Sequence, residues 1–226
     1  MTGVYLVLSG LVLGWALSGA HWRILFKPTV LPSVVGGVLA LGLAWNIKAN
    51  MSGMAAETLV GLSFQFFGAS LLVAMYGVRP AIVMLAFVTA LVALVSSWGI
   101  DQALKQFFIL GVLPAITACG AMQIISKFFP KHLFIFILGH GYVAGVLSVI
   151  VPGVILMVAQ QTMLPTVAGL SMDMTDWLVT LIILSFTEGS LSGMLLAVFV
   201  IYRPNWVPRF DDQAYLKIPS EPIKMP

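Results

Sequence analysis

Long apolar runs separated by short polar segments dominate this sequence. The runs are continuous rather than alternating, which is typical of helices and unlike the strands of a β-barrel. A helix rises about 1.5 Å per residue, so about 20 residues cross a hydrocarbon core of about 30 Å. The pattern predicts an all-α polytopic membrane protein, a bundle of about seven transmembrane helices. The spans cover roughly residues 3–20, 29–47, 58–77, 80–99, 107–125, 133–159 and 177–202.

Two breaks in the pattern leave the helix count open. Pro152-Gly153 lies inside the sixth run, where it can kink or end the helix. The segment from Gly77 to Pro80 separates the third and fourth runs, and a different division there gives six or eight crossings.

Basic residues are distributed unevenly between the two sides of the predicted bundle. Lysine and arginine concentrate on the cytoplasmic side of membrane proteins. The distribution therefore places the N-terminus outside and the C-terminus in the cytoplasm, with a bundle at 1–202 and a cytoplasmic interfacial tail at 203–226. The richer side holds Arg23, Lys27, Arg79, Lys127, Lys131, Arg203, Arg209, Lys217 and Lys224, and the other side holds Lys48 and Lys105.

Composition agrees with a protein that lies in a lipid bilayer. Of 226 residues, 60% are hydrophobic and 8% are charged, whereas soluble domains carry about 25% charged residues. The net charge of +3 is explained by topology, because no basic run with interleaved aromatic residues indicates nucleic-acid binding. No phosphate-binding loop, metalloprotease or serine-hydrolase motif is present, so we expect no enzyme activity, and a partner would supply the energy for active transport.

Glu188 is the one charged residue in the last run, Trp177–Tyr202. A carboxylate at membrane depth is costly and marks a functional or partner-bound position by default. Three interpretations are open: contact with a cation or proton pathway, pairing with His140, or a packing network with Thr187 and Ser190. Gln65 and His140 are further polar residues within predicted spans.

Small residues recur four positions apart at three places, which is typical of closely packed membrane helices. The first and last of these pairs are alternatively docking faces for a neighbouring subunit. The pairs are Gly10/Gly14, Gly141/Gly145 and Gly189/Gly193.

Methionines near the predicted outside loops raise a copper hypothesis. Met51 and Met54, and then Met172 and Met174, have spacings that can chelate Cu(I), a metal that prefers soft sulfur ligands.

The tail combines basic, aromatic and acidic residues. Aromatic side chains at this position are typical of an interfacial anchor, and the alternative is a docking surface for a partner. The residues concerned are Arg203, Trp206, Arg209, Asp211 and Asp212.

Two stretches of the chain resemble the sequence patterns of a known family. The longer reads Phe-Thr-Glu-Gly-Ser-Leu-Ser-Gly-Met at 186–194, Tyr-Arg-Pro-Asn-Trp at 202–206, Phe-Asp-Asp at 210–212 and Tyr-Leu at 215–216. The shorter runs from Phe129 through Gly141. Together they resemble CbiM-type proteins, the membrane substrate-capture components of energy-coupling-factor cobalt/nickel ABC transporters.

The resemblance implies a bacterial inner-membrane location, a coupling membrane subunit and a pair of cytoplasmic ATPases. It also implies Co²⁺ or Ni²⁺ as substrate, held by the terminal amine, a histidine at position 2 and a later histidine, which is a nitrogen ligand set that suits Ni(II). Here Thr2 occupies the second position, and Gln65 lies near the place of the later histidine. The metal site is therefore expected to be degenerate, with only Met1 carried over.

Three functions follow from these observations. The leading expectation is a CbiM-like permease component for a transition-metal ion. The alternative is an accessory or structural subunit of a larger inner-membrane complex that does not itself transport. The third is Cu(I) handling through the outside methionines.

Overall fold

The fold is known from a computed structural model that describes residues 2–55, 68–163, 174–210 and 215. All regular secondary structure in these residues is helical. Four helices within them are long and apolar enough to cross a membrane, which makes a lipid bilayer the natural surroundings of the chain. They are Val78–Val95, Ile100–Phe128, Leu133–Val158 and Trp177–Tyr202.

Seven helices, labelled α1 to α7, are defined here by their residue ranges. The first four are α1 (Thr2–Leu17), α2 (Leu31–Ala55), α3 (Ala69–Tyr76) and α4 (Val78–Val95). Helix α5 joins Ile100–Gln106, a π-helical turn at Phe107–Val112 and Leu113–Phe128, and α6 joins Leu133–Ile135, a π-helical turn at Phe136–Val143 and Ala144–Met163. The last is α7 (Met174–Tyr202), and short 3-10 helices lie at Ala20–Phe26 and Pro204–Trp206.

The first three predicted spans correspond only in part to these helices. Within α1 and α2 the apolar stretches are the shorter segments Leu6–Leu17 and Leu31–Trp45. Most of the predicted span at 58–77 lies outside the described residues, and α3 represents its end. Eight residues of helix extend about 12 Å, which is too short to cross a bilayer alone.

Two helix boundaries depend on glycine and proline. Gly77 adopts φ +93°, a conformation that favours glycine, and this residue separates α3 from α4 as the predicted division requires. Pro152 does not end α6, because the helix continues through it to Met163. The adjacent Gly153 leaves room for Leu181 of α7, whose Cδ1 would lie 2.2 Å from a Cβ at that position.

Helix α4 lies at the centre of the core. Its buried side chains include Met84, Leu85, Val88 and Val92, and it contacts α1, α2 and α3. Its other face exposes large apolar side chains such as Leu94. An apolar interior together with an apolar outer surface is expected for a helix that lipid surrounds on one side.

Several contacts bring the predicted cytoplasmic segments to one end of the bundle. The Arg79 guanidinium lies 4.9 Å from the ring centroid of Trp15, near the end of α1. Lys27 and Phe210 line a common cleft, and Phe210 packs on Phe136 near the start of α6 at 5.1 Å between ring centroids. The loops that carry the basic residues and the tail therefore share one end.

Helices α6 and α7 cross at unusually short range. A Cβ on Gly141 would lie 2.7 Å from the Cα of Gly193, and a Cβ on Gly145 would lie 2.8 Å from the Cα of Gly189. Both distances are too short for a real Cβ, so each helix needs glycine at the crossing. The prediction of close packing is confirmed for these two pairs, and Gly189/Gly193 is an internal contact rather than a docking face.

The Gly145→Ala substitution should destabilise the protein, because the added methyl group meets the backbone of α7. We expect the free energy of unfolding in detergent to fall by about 1–3 kcal/mol, the range for overpacked sites. Gly120→Ala in α5 is the matched control, since nothing lies within 4 Å of a Cβ there. Alanine is the better helix former, so this control should be neutral or stabilising. Equal stability of the two variants would contradict the close crossing.

Candidate functional site around Glu188

Glu188 lies on α7 and exposes 1% of its surface. Its Oε1 atom accepts a hydrogen bond from the backbone N–H of Gly68 at 3.1 Å and another from the Ser70 hydroxyl at 3.2 Å. The Ser70 hydroxyl also lies 2.8 Å from the hydroxyl of Ser192, one turn further along α7. A buried carboxylate needs such donors in place of water. The site therefore joins α7 to α3 through a network of polar groups inside an apolar bundle.

The Glu188 carboxylate lies at the N-terminus of α3. The first N–H groups of a helix have no partner within the helix and carry a partial positive charge of roughly +0.5. One of these donors, the N–H of Gly68, points at Glu188, and Ser70 in the first turn supplies the second. The carboxylate and the helix end thus satisfy each other where water is excluded.

Gly68 is required at this position for two reasons. Its φ of +67° lies in the left-handed region, which L side chains with a Cβ rarely adopt. A Cβ at Gly68 would also lie 2.5 Å from Cδ2 of Leu41 on α2. The glycine therefore allows the chain to turn into α3 with its N–H directed at Glu188.

The opposite end of α3 is bound by the tail. A guanidinium N–H of Arg209 donates to the carbonyl oxygen of Val73 at 3.2 Å, and that oxygen also accepts from the N–H of Gly77. Cations stabilise helix C-termini for the same reason that anions stabilise N-termini. Glu188 and Arg209 together hold α3 at both ends with charges of the appropriate sign.

His140 has a different set of partners from Glu188. Its Nε2 atom lies 2.9 Å from the hydroxyl of Ser126 on α5, and its ring packs edge-on against Phe136 at 4.9 Å between centroids. His140 is therefore a contact between α5 and α6 rather than the partner of Glu188. Of the three interpretations of Glu188, the geometry favours the packing network, whose members among the described contacts are Gly68, Ser70 and Ser192.

Thr187 and Ser190, which the sequence suggested for that network, lie on other faces of α7. The Thr187 hydroxyl donates to the carbonyl oxygen of Ile183 within its own helix. Ser190 is half-buried and follows Glu188 by two residues, a spacing that does not share a helix face.

The tail folds back onto the end of the bundle. Trp206 is half-buried and packs on Phe199 of α7 at 5.9 Å between centroids, with the Arg203 guanidinium 5.8 Å from the Trp206 ring. Phe210 and Tyr215 each lie 5.1 Å from Phe136. These contacts anchor the tail to this chain. Asp211 and Asp212 lie outside the described residues.

The structure describes only some of the remaining candidate residues. Gln65 and Met172 lie outside the described residues. Met51 and Met54 belong to α2 and Met174 begins α7, so these three lie in helices rather than in loops as expected. The segment from Lys48 to Ala55 contains one glycine and no proline, and α2 therefore continues beyond the apolar stretch.

The sequence alone did not identify Gly68, Ser70 and Ser192 as members of the site. Ser192 follows Glu188 by four residues and so shares its helix face, a signal that was present in the sequence. Nothing local marks Gly68 or Ser70, because they are 120 and 118 residues away from Glu188 in the chain.

The arrangement offers a carboxylate and hydroxyl groups, all engaged with neighbouring helices. Within the described ranges, no three His, Cys, Asp or Glu residues come together as a group that could hold a metal ion. Comparison with protein-family models, with curated proteins and with solved structures finds no match to this chain.

Glu188→Ala should lower the free energy of unfolding by about 2–4 kcal/mol, because it leaves buried donors on α3 unpaired and opens a cavity. Glu188→Gln should cost less, since the amide oxygen can still accept from Gly68 and Ser70. Thr187→Ala is the neighbouring control and should be near neutral. Denaturant unfolding in detergent measures all three, and a Glu188→Ala variant as stable as the parent protein would refute the network.

Phe210→Ala should release the tail, because the ring loses its contact with Phe136. We expect limited proteolysis to cut the tail several-fold faster than in the parent protein, since proteases require a detached segment. Tyr202→Ala, at an exposed position beside the tail, is the control and should leave the cleavage rate unchanged. Identical rates for all three proteins would show that the tail is not held by this contact.

Proposed function

We propose that this chain is a CbiM-like permease component of an energy-coupling-factor transporter for a transition-metal ion in a bacterial inner membrane. One observation carries the proposal. The family-like segment 186–194 supplies Glu188, and Arg209, which directly precedes the family-like segment 210–212, binds the opposite end of the same short helix. Glu188 of the family-like stretch and Arg209 beside it therefore share one structural task, which is to hold this helix in place.

The position of α3 supports a role in substrate capture. The resemblance places the later metal ligand near Gln65, and Gly68 follows Gln65 by three residues. Glu188 fixes the backbone at Gly68 and so fixes the point at which the capture segment enters α3. In this proposal, Gln65 and the terminal amine line the degenerate pocket and Glu188 positions the segment.

The proposed topology has seven crossings, an outside N-terminus and a cytoplasmic tail. The seven crossings are the four long helices, the shorter apolar stretches of α1 and α2, and α3 together with the segment before it. The basic loops and the tail lie at the same end of the bundle. This supports the proposed orientation, because lysine and arginine concentrate on the cytoplasmic side. A coupling subunit and ATPases would bind at that end.

The accessory-subunit role is the second candidate. The Glu188 carboxylate favours this role, because it accepts hydrogen bonds from the Gly68 N–H and the Ser70 hydroxyl at the start of α3. In this role the charge stabilises the fold and binds no substrate. A scaffold that had lost its substrate would keep such contacts. Cu(I) handling by Met51, Met54, Met172 and Met174 stays a separate prediction that the same metal analysis tests.

The deciding experiment is purification of the full chain from its own cells in mild detergent, with metal analysis and identification of bound subunits. We expect Co, Ni or Cu near one per chain after exposure to that metal, together with an ATPase and a second membrane protein. Glu188→Ala should lose most of the metal, whereas Thr187→Ala should retain it. A metal-free chain in a stable complex with non-transport subunits would overturn the transport proposal in favour of the accessory role.

A further inference from the structure

A cleft of about 290 Å³ opens between the loop before α2 and the tail. Lys27, Thr29 and Asn205, whose side chains carry an ammonium, a hydroxyl and a carboxamide, line it, and all three residues are exposed. Val30 and Val207 also line it and are buried. The cleft therefore combines an apolar floor with polar groups on its rim.

The polar groups favour an anionic ligand that also accepts hydrogen bonds. A lysine ammonium binds phosphate as a point charge, and a hydroxyl and an amide can donate to the remaining oxygens. The basic loops that meet at this end of the bundle add to the positive potential around the cleft. A phosphate ester fits this chemistry better than a cation does.

The position of the cleft favours a lipid as the source of such a phosphate ester. Helix α2 leaves the cleft with the exposed apolar side chains Leu31, Val35 and Leu39, and α7 approaches it with Val198 and Ile201 exposed. Apolar faces of this kind contact acyl chains in a bilayer. The cleft thus lies where the polar end of a lipid meets two lipid-facing helices.

We propose that this cleft binds the headgroup of an anionic phospholipid. Lys27 contacts the phosphate, Thr29 and Asn205 donate to headgroup oxygens, and the acyl chains lie along α2 or α7. Because the loop before α2 and the tail both line the cleft, the bound lipid holds the tail to the bundle. The proposal does not depend on the transported substrate and holds equally for an accessory subunit.

Native mass spectrometry of the full chain in detergent, titrated with phosphatidylglycerol or phosphatidylcholine, tests the proposal. We expect one phosphatidylglycerol to be retained in preference to phosphatidylcholine. Lys27→Ala should weaken that binding about five-fold, the effect of one basic residue near a membrane surface. Lys131→Ala removes an exposed lysine that does not line the cleft, and it should weaken the binding much less than Lys27→Ala does.

Three results would overturn the proposal. Equal retention of the two lipids would remove the basis for an anionic headgroup. An unchanged affinity of Lys27→Ala for phosphatidylglycerol would show that the lipid binds elsewhere. The variant must first be shown to be folded, by an unfolding temperature in phosphatidylcholine equal to that of the parent protein. Displacement of the lipid by glycerol phosphate at matching concentration would assign the cleft to a soluble phosphate ester.

Discussion

The mutual satisfaction of Glu188 and the N-terminus of α3 is the interaction on which the site depends. Helix ends leave backbone donors unpaired, and within a bilayer no water is present to compensate for them. A helix that begins inside the bundle therefore needs an internal acceptor, and a buried carboxylate needs internal donors. Each group removes the cost of the other, and together they explain why a charged residue is placed in an otherwise apolar run.

Helix α7 contacts two neighbouring helices through two adjacent faces. Gly189 and Gly193 allow α6 to approach closely, while Glu188 and Ser192 face α3. The two pairs are offset by one residue, which corresponds to about 100° around a helix. The nine residues from Phe186 to Met194 thus encode a close crossing and a polar contact on adjacent faces, and a shift of one residue would disrupt both.

Features with a local signature were predictable from the sequence, and features made by distant residues were not. Helical character, four long apolar spans, the boundary at Gly77 and the glycine crossing follow from composition and spacing. The partners of Glu188 do not, because Gly68 and Ser70 precede it by more than a hundred residues and nothing local marks them. Pro152 was ambiguous for another reason: a proline within a membrane helix permits a break but does not require one, and here the helix continues through it.

The binding of both ends of α3 by late residues has a consequence for biosynthesis. Gly68 precedes its acceptor by 120 residues, and Val73 precedes Arg209 by 136. When α3 leaves the ribosome, neither Glu188 nor Arg209 has been made, so the N–H of Gly68 lacks this acceptor, whereas the Val73 carbonyl still accepts from the N–H of Gly77. The contacts of α3 with Glu188 and Arg209 therefore form only after the last helix and the tail are made, and a chain that stops before Glu188 lacks this acceptor for the N-terminus of α3.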